Sequence, residues 1–296
     1  MLVVSIIEMS LAYRIIPRLD IKGPNLVKGV HLEGLRVLGK PEYFAKYYYE
    51  QGADELFYQD VVASLYGRNS LHEIISKTAK AIFIPLTVGG GIRTIDDIKN
   101  ALRSGADKVS INTSAIENPD LIKKASNVFG KSTIVVAIEA IKQPDGHYLA
   151  FTDNGRNYTG IEVTKWAKNA EELGAGEIVL TSVDREGTGS GFDSELIKRV
   201  TEVVSIPVVV HGGAGRLEHL AQIFNNITEI SGVSIASILH YDYIKKYKDL
   251  DGYESEGNID FLRSSKSMSH IHSTNLTNIK EYLISKNINC RVVHDN

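Results

Sequence analysis

The chain has 296 residues, 43% hydrophobic and 23% charged, with a formal net charge of -3 and a single cysteine, Cys290. This composition reads as an ordinary soluble globular protein, either two small domains or one closed α/β barrel, with no basic footprint for nucleic acid. The cluster Lys245-Lys246-Tyr247-Lys248 reads as a solvated helix end, and a lone cysteine excludes an internal disulfide framework and fits a reducing, cytoplasmic setting.

Residues 1–13 are apolar, but they lack a basic n-region, Glu8 interrupts them, and they are too short to span a bilayer. They are read as a short N-terminal extension or the product of an alternative start. From residue 14, short β-branched runs alternate with amphipathic stretches of about a dozen residues, the rhythm of βα units around a parallel sheet. Strands are predicted at 14–20, 55–60, 84–88, 108–112, 134–139, 177–182, 207–211 and 232–236. Helices are predicted at 41–51, 69–80, 94–104, 119–129, 164–173, 193–204, 217–225 and 276–286, with Asn287 as a plausible C-terminal stop. Eight of each point to a (β/α)8 TIM barrel, one domain over 1–296 with no dividing linker. Two segments break the rhythm. Residues 142–159 carry Pro, Asp-Gly and Asp-Asn-Gly turn signals and are expected to form a β-hairpin beside the mouth. Residues 242–274 are polar and Ser-rich, and are expected to be an inserted loop between the eighth strand and the eighth helix.

The chain also repeats itself. Gly89-Gly90-Gly91 returns as Gly212-Gly213-Ala214-Gly215, and Gly52-Ala53-Asp54-Glu55-Leu56 as Gly174-Ala175-Gly176-Glu177-Ile178, each offset by 122 residues (90 to 212, 52 to 174). One half-barrel therefore occurs twice, and neither copy could close its sheet alone. In a parallel barrel the active site lies at the C-terminal strand ends, where Asp20 and Glu139 fall on opposite sides of the mouth. There they could serve as general acid and base on one bound molecule, or merely cap the loops that follow. The two glycine runs allow backbone N–H groups to approach an anion, and Arg93-Thr94 opens the next helix at its positive end. Gly90 and Gly91, with Asn112 and Thr113, mark one expected phosphate cradle. Gly212 and Gly213, with Ala236 and Ser237, mark the other, and the turn through Glu186, Gly187 and Thr188 could reach the same anion or a sugar hydroxyl. The ligand implied is a small molecule with a phosphate at each end.

Side chains alternate along a strand, so Arg14 and Arg18 share the inward face with Asp20. Arg14 near the bottom needs partners, and Glu55, Lys108 and Glu177 could complete a ring of alternating charge. Such a ring is either a plug of satisfied buried charges or a gate on a path through the barrel. His270-Ile271-His272 has no evident third ligand, so neither metal nor cofactor is expected, and no Cys–His or Ser–His nucleophile pair is evident.

These stretches resemble a known family. RIIPRLDIK, LVKG, GADEL, VGGGIRT, GADKVSINT, VVAIEA, GAGEIVLTSVDREGT, GFD and HGGAGRLEH are similar to the cyclase subunit of imidazole glycerol phosphate synthase, from about residue 14 onward apart from the insertion. The resemblance implies a lyase of histidine biosynthesis. Ammonia from a glutaminase docked on the barrel bottom would pass through the barrel. It would then attack a ribulosyl formimino carboxamide ribonucleotide, giving imidazole glycerol phosphate and an aminoimidazole carboxamide ribonucleotide. It also implies Asp20 as general base, Glu139 as general acid, Lys28 as a substrate-binding lysine on a mobile first loop, and Arg14, Glu55, Lys108 and Glu177 as the ammonia gate.

The chain departs from the family pattern at several positions. Glu139 and Glu186 stand where the family has Asp, Arg18 where it has a small residue, usually Cys, and His211 where it has a Ser. Arg18 is expected to lower the pKa of a group meant to donate a proton. These departures suggest a paralogue channelling ammonia for amidination of surface-polysaccharide N-acetyl sugars; a third reading, a non-catalytic barrel that activates a glutaminase, is opposed by Asp20, Lys28 and both glycine cradles.

Overall fold

The computed structural model describes residues 11–63, 71–247 and 270–292. Most of the extension at 1–13, the first residues of the helix expected at 69–80 and the middle of the segment 242–274 lie outside the described residues.

Eight parallel strands close on themselves: β1 (Arg14–Lys22), β4 (Leu56–Asp60), β5 (Leu86–Gly89), β6 (Lys108–Ile111), β7 (Ile134–Lys142), β10 (Glu177–Ser182), β11 (Val208–His211) and β12 (Gly232–Ile235). Each pairs with the next, β7 pairs with β10, and β12 returns to β1, so the barrel is complete. The chain is thus a (β/α)8 barrel, as its sequence predicts. Helices α1 (Pro41–Glu50), α2 (His72–Ala79), α3 (Ile95–Arg103), α5 (Asp120–Phe129), α6 (Val163–Leu173), α7 (Ser194–Thr201), α8 (Leu217–Asn226) and α10 (Leu276–Ser285) wrap it. Several helix starts are written locally. Thr94 and Asp97 form a reciprocal capping box on α3, and the Asp193 carboxylate accepts from Leu196 N (3.1 Å) on α7.

Two separate cores follow from strand alternation. Outward-facing residues such as Leu19, Val136, Leu180 and Val210 pack against the helices. Ile16, Phe57, Val135, Val179 and Val209 face inward and form an apolar layer across the barrel axis. At the bottom, Asp54 Oδ1 accepts from Lys280 Nζ and Arg291 Nε (both 2.8 Å), tying α10 and the segment after it to the barrel.

Three features differ from the sequence-based expectation. Strands β1 and β7 run past Asp20 and Glu139 because each turns into an antiparallel extension. The segment at 142–159 forms two strands beyond β7, β8 (Tyr148–Thr152) and β9 (Asn157–Glu162), so it is a three-stranded meander rather than one hairpin.

The second difference is a hairpin of β2 (Asn25–Val30) and β3 (Glu33–Gly39), which replaces the expected first loop. Its turn residues His31 and Leu32 both have positive φ (54° and 61°), a conformation usually given to Asn-Gly. Tertiary bonds hold them there: His31 N donates to Glu186 O, Leu32 N to Glu186 Oε2 and Asn154 Nδ2 to Leu32 O, at 2.9 to 3.0 Å.

The third is a helix after β12, α9 (Ser237–Lys246), which runs into the stretch expected to be a loop from residue 242. Its tyrosines look polar in sequence, yet Tyr243 packs against Phe44 and Tyr47 of α1. Among the described residues, no helix is long and apolar enough to cross a membrane.

Candidate active site

Strands β1 and β7 are four steps apart in either direction around the barrel, so Asp20 and Glu139 stand on opposite walls of one mouth. Both are buried. Burial would push both carboxyls up, and at Glu139 it does, to about 7; the single N–H bond from Gly155 (2.8 Å) and the charge of Arg18 only partly oppose it. At Asp20 burial is outweighed by Arg18 and then Lys28, which hold the group at about 2. Arg18 does lower the Glu139 pKa, as the sequence led us to expect, but burial raises it by more. Its guanidinium bonds Asp20 (Nε to Oδ1, 2.8 Å), while Glu139 stays high. A carboxylate and a carboxylic acid on opposite walls of one mouth can act as base and acid on the same molecule near neutral pH.

Lys28 sits on β2 rather than on a loop and is itself buried. Its ammonium forms an ion pair with Glu186 and lies 3.9 Å from Asp20 Oδ2. Glu186 is fully buried, its two oxygens taken by Lys28 and Leu32 N, so its carboxylate pins the hairpin over the mouth.

The two glycine cradles flank this pair and share their backbone geometry. Gly90 and Gly212 have φ of 95° and 99°, a region open to glycine. A Cβ at Gly90 would stand 2.3 Å from the Asp60 carbonyl oxygen, and one at Gly212 2.6 Å from that of Ser182. Beyond the neighbouring strands, Asn112 (φ -128°, ψ -82°) caps the short helix α4 (Thr113–Glu117), and Ala236 (φ -129°, ψ -79°) caps α9 in the same way. The half-barrel repeat therefore extends to the caps.

The cradles differ in space. The first opens into a cleft of about 210 Å³ lined by Gly90, Gly91, Asn112, Thr113 and Glu139. The second, among Glu186, Gly187, Gly212, Gly213, Ala236 and Ser237, holds about 10 Å³, with Lys28 drawn against it. Thr188 lines neither cleft; its hydroxyl donates to Arg185 O (2.7 Å) within its own turn.

At the barrel bottom the expected charge ring is present. Arg14 bonds Glu55 (3.0 Å) and Glu177 (2.9 Å), and Lys108 bonds Glu55 (2.8 Å) and reaches Glu177 (3.5 Å). The Thr87 hydroxyl adds a bond to Glu55.

Sequence reasoning passed over Gln59 and Asp60, which line the first cleft, although period-two alternation from Glu55 puts Gln59 inside. It also passed over Asp153-Asn154-Gly155 as site residues. All three have positive φ, and their turn delivers the N–H that Glu139 receives. The Asp-Asn-Gly signal was legible, but its position over Glu139 was not. Among the described residues, no group of three or more His, Cys, Asp or Glu side chains is placed to hold a metal ion.

Comparison with known proteins agrees with this geometry. A family model described as "Histidine biosynthesis protein" matches residues 14–245. The imidazole glycerol phosphate synthase subunit HisF of Legionella pneumophila is 60% identical over 205 residues, covering 69% of this chain and 97% of that protein. The subunit of the same name from Saccharolobus solfataricus is 47% identical over 247 residues, covering 83% and 97% respectively. That of Lysinibacillus sphaericus is 49% identical over 232 residues, covering 78% and 92%. With the barrel, the repeated cradles and these matches together, the chain belongs to the HisF family of histidine biosynthesis proteins.

Proposed function

We propose that this chain is the cyclase subunit of an imidazole glycerol phosphate synthase, a lyase of histidine biosynthesis. It would use ammonia to convert a ribulosyl formimino carboxamide ribonucleotide into imidazole glycerol phosphate and an aminoimidazole carboxamide ribonucleotide. The observation that carries the reading is the 60% identity to the HisF subunit of Legionella pneumophila, together with Asp20 and Glu139 standing on opposite walls of the mouth between two backbone cradles. In this reading ionised Asp20 takes a proton and protonated Glu139 returns one. One substrate phosphate rests against Gly90, Gly91, Asn112 and Thr113. The other rests against Gly212, Gly213, Ala236 and Ser237, where Lys28 contributes positive charge. Gly187 brings its turn close to the hairpin, since a Cβ there would stand 2.7 Å from Gly29 O.

The partner in this reading is a glutaminase subunit seated on the barrel bottom, over the ring of Arg14, Glu55, Lys108 and Glu177, and the setting is the cytoplasm. The test is turnover of the ribulosyl substrate by the isolated chain with free ammonium, which bypasses the glutaminase. A rate equal to the no-enzyme control at saturating substrate would overturn the reading.

A second reading is favoured by one observation. Arg18 reaches across the barrel interior just above the apolar layer, and His211 is buried at the corresponding level of β11. A passage so altered fits a paralogue whose ammonia serves amidination of N-acetyl sugars. Ammonium-dependent failure with the ribulosyl substrate, together with retained phosphate binding, would promote it.

A further inference from the structure

We propose that Arg18 is the positioning residue that divides acid from base in this mouth. Its guanidinium clamps Asp20 Oδ1 from below, while Oδ2 lies 3.9 Å from the Lys28 ammonium, and it leaves Glu139 without a close counter-ion.

The geometry is specific. Residues 18 and 20 share one face of β1, so the contact is fixed within a single strand and needs no loop to form it. Arg18 is 3% exposed and is held by three contacts. Nε bonds Asp20 Oδ1 at 2.8 Å, Nη1 donates to Thr181 Oγ1 at 3.4 Å, and the guanidinium lies 5.4 Å from the centroid of the Phe57 ring. Phe57 is the neighbour in register on β4, whereas Thr181 belongs to β10 across the interior. The side chain is therefore wedged over the apolar layer, with its charge aimed up at Asp20. A planar fork on an aromatic face is a contact that lysine cannot reproduce.

Glu139 serves as an internal comparison. It is a carboxyl of similar depth on the opposite wall, but its partner is one backbone N–H from Gly155 rather than a guanidinium. Equal burial without equal pairing separates the two groups; Arg18 supplies the largest part of the difference, with Lys28 (3.9 Å from Oδ2) on β2 and then His211 on β11 as the further groups facing Asp20. The catalytic meaning of that separation rests on the function proposed above; the clamp itself does not.

The experiment is a 13C carboxyl NMR titration of the full chain labelled at aspartate and glutamate. The Asp20 and Glu139 signals are identified by their absence in Asp20→Asn and Glu139→Gln. In Arg18→Met the Asp20 midpoint is expected to rise by ~2 units, with a smaller upward movement at Glu139. Arg18→Lys should fall between Arg18→Met and wild type, because it keeps the charge and loses the fork. An Asp20 midpoint in Arg18→Met within about half a unit of wild type would overturn the proposal, being well below the shift a close counter-ion causes. If Arg18→Met does not fold, Arg18→Lys carries the test, and a midpoint equal to wild type would overturn the clamp. Because the titration uses no substrate, failure of cyclase turnover leaves its outcome intact. Where turnover is present, the acid limb of kcat/KM at constant free ammonia should move up with the Asp20 midpoint in Arg18→Met. An unmoved limb would confine Arg18 to a structural role.

Discussion

Lys28 on the second strand and Glu186 beyond the sixth barrel strand form a fully buried ion pair that closes the hairpin over the mouth. Glu186→Gln keeps the shape and the acceptor for Leu32 N but leaves the Lys28 ammonium with the Gly29 carbonyl (3.1 Å) and, as its nearest carboxylate, Asp20 at 3.9 Å. Breaking a buried pair from one side costs about 3 kcal/mol. Urea denaturation at neutral pH should show a loss of that order. A change under ~0.5 kcal/mol, the scale of an ordinary surface substitution, would mean that the pair does not hold the hairpin.

Stability should depend on pH in opposite senses at the two carboxyls. The folded pKa of Glu139 lies near 7, above the ordinary glutamate value of 4.5, so the folded state binds more protons between those values. Stability from Glu139 is therefore fully present below about 4.5 and lost as pH rises through about 7, by roughly 3 kcal/mol in all. Asp20, held near 2 against 3.8, contributes stability that is present above 3.8 and lost as pH falls toward 2. Glu139→Gln should flatten the decline between pH 5 and 7 in denaturation midpoints. An unchanged slope would show that Glu139 is not the titrating group.

Gly90→Ala and Gly212→Ala each place a methyl group against a carbonyl oxygen at a backbone angle that L residues rarely adopt. Gly90→Ala should weaken binding of inorganic phosphate by about tenfold or more, the equivalent of roughly 1.4 kcal/mol. Gly212→Ala should affect phosphate binding less, because its cradle is already nearly filled. Calorimetric titration would separate them, and equal effects would show that the second cradle opens freely in solution.

Asp20→Asn removes the base while preserving its shape, and ammonium-dependent turnover should fall about 10³-fold. Glu139→Asp keeps an ionisable acid, shortens its reach by one methylene, and should retain or raise turnover. Substantial activity in Asp20→Asn would assign the base to another group.

The barrel, its eight strands, the bottom charge ring and the two glycine turns at repeat-related strand ends were legible in the chain itself, because each rests on a local or periodic signal. Alternation put Arg14, Arg18 and Asp20 on one face, and the 122-residue offset paired Gly90 with Gly212. Positive φ at both glycines then follows from local backbone sterics. The hairpin at residues 25–39 was not legible, since His31 and Leu32 are poor residues for its turn and are held there by Glu186 and Asn154, distant in sequence. Alternation placed Arg18 beside Asp20, but the sequence could not say that Glu139 would be left without a matching cation. Two carboxylates read alike as letters, and only the packed barrel gave Asp20 a guanidinium at 2.8 Å while leaving Glu139 to burial. Ionisation depends on distance and depth, and those are properties of the closed tertiary structure.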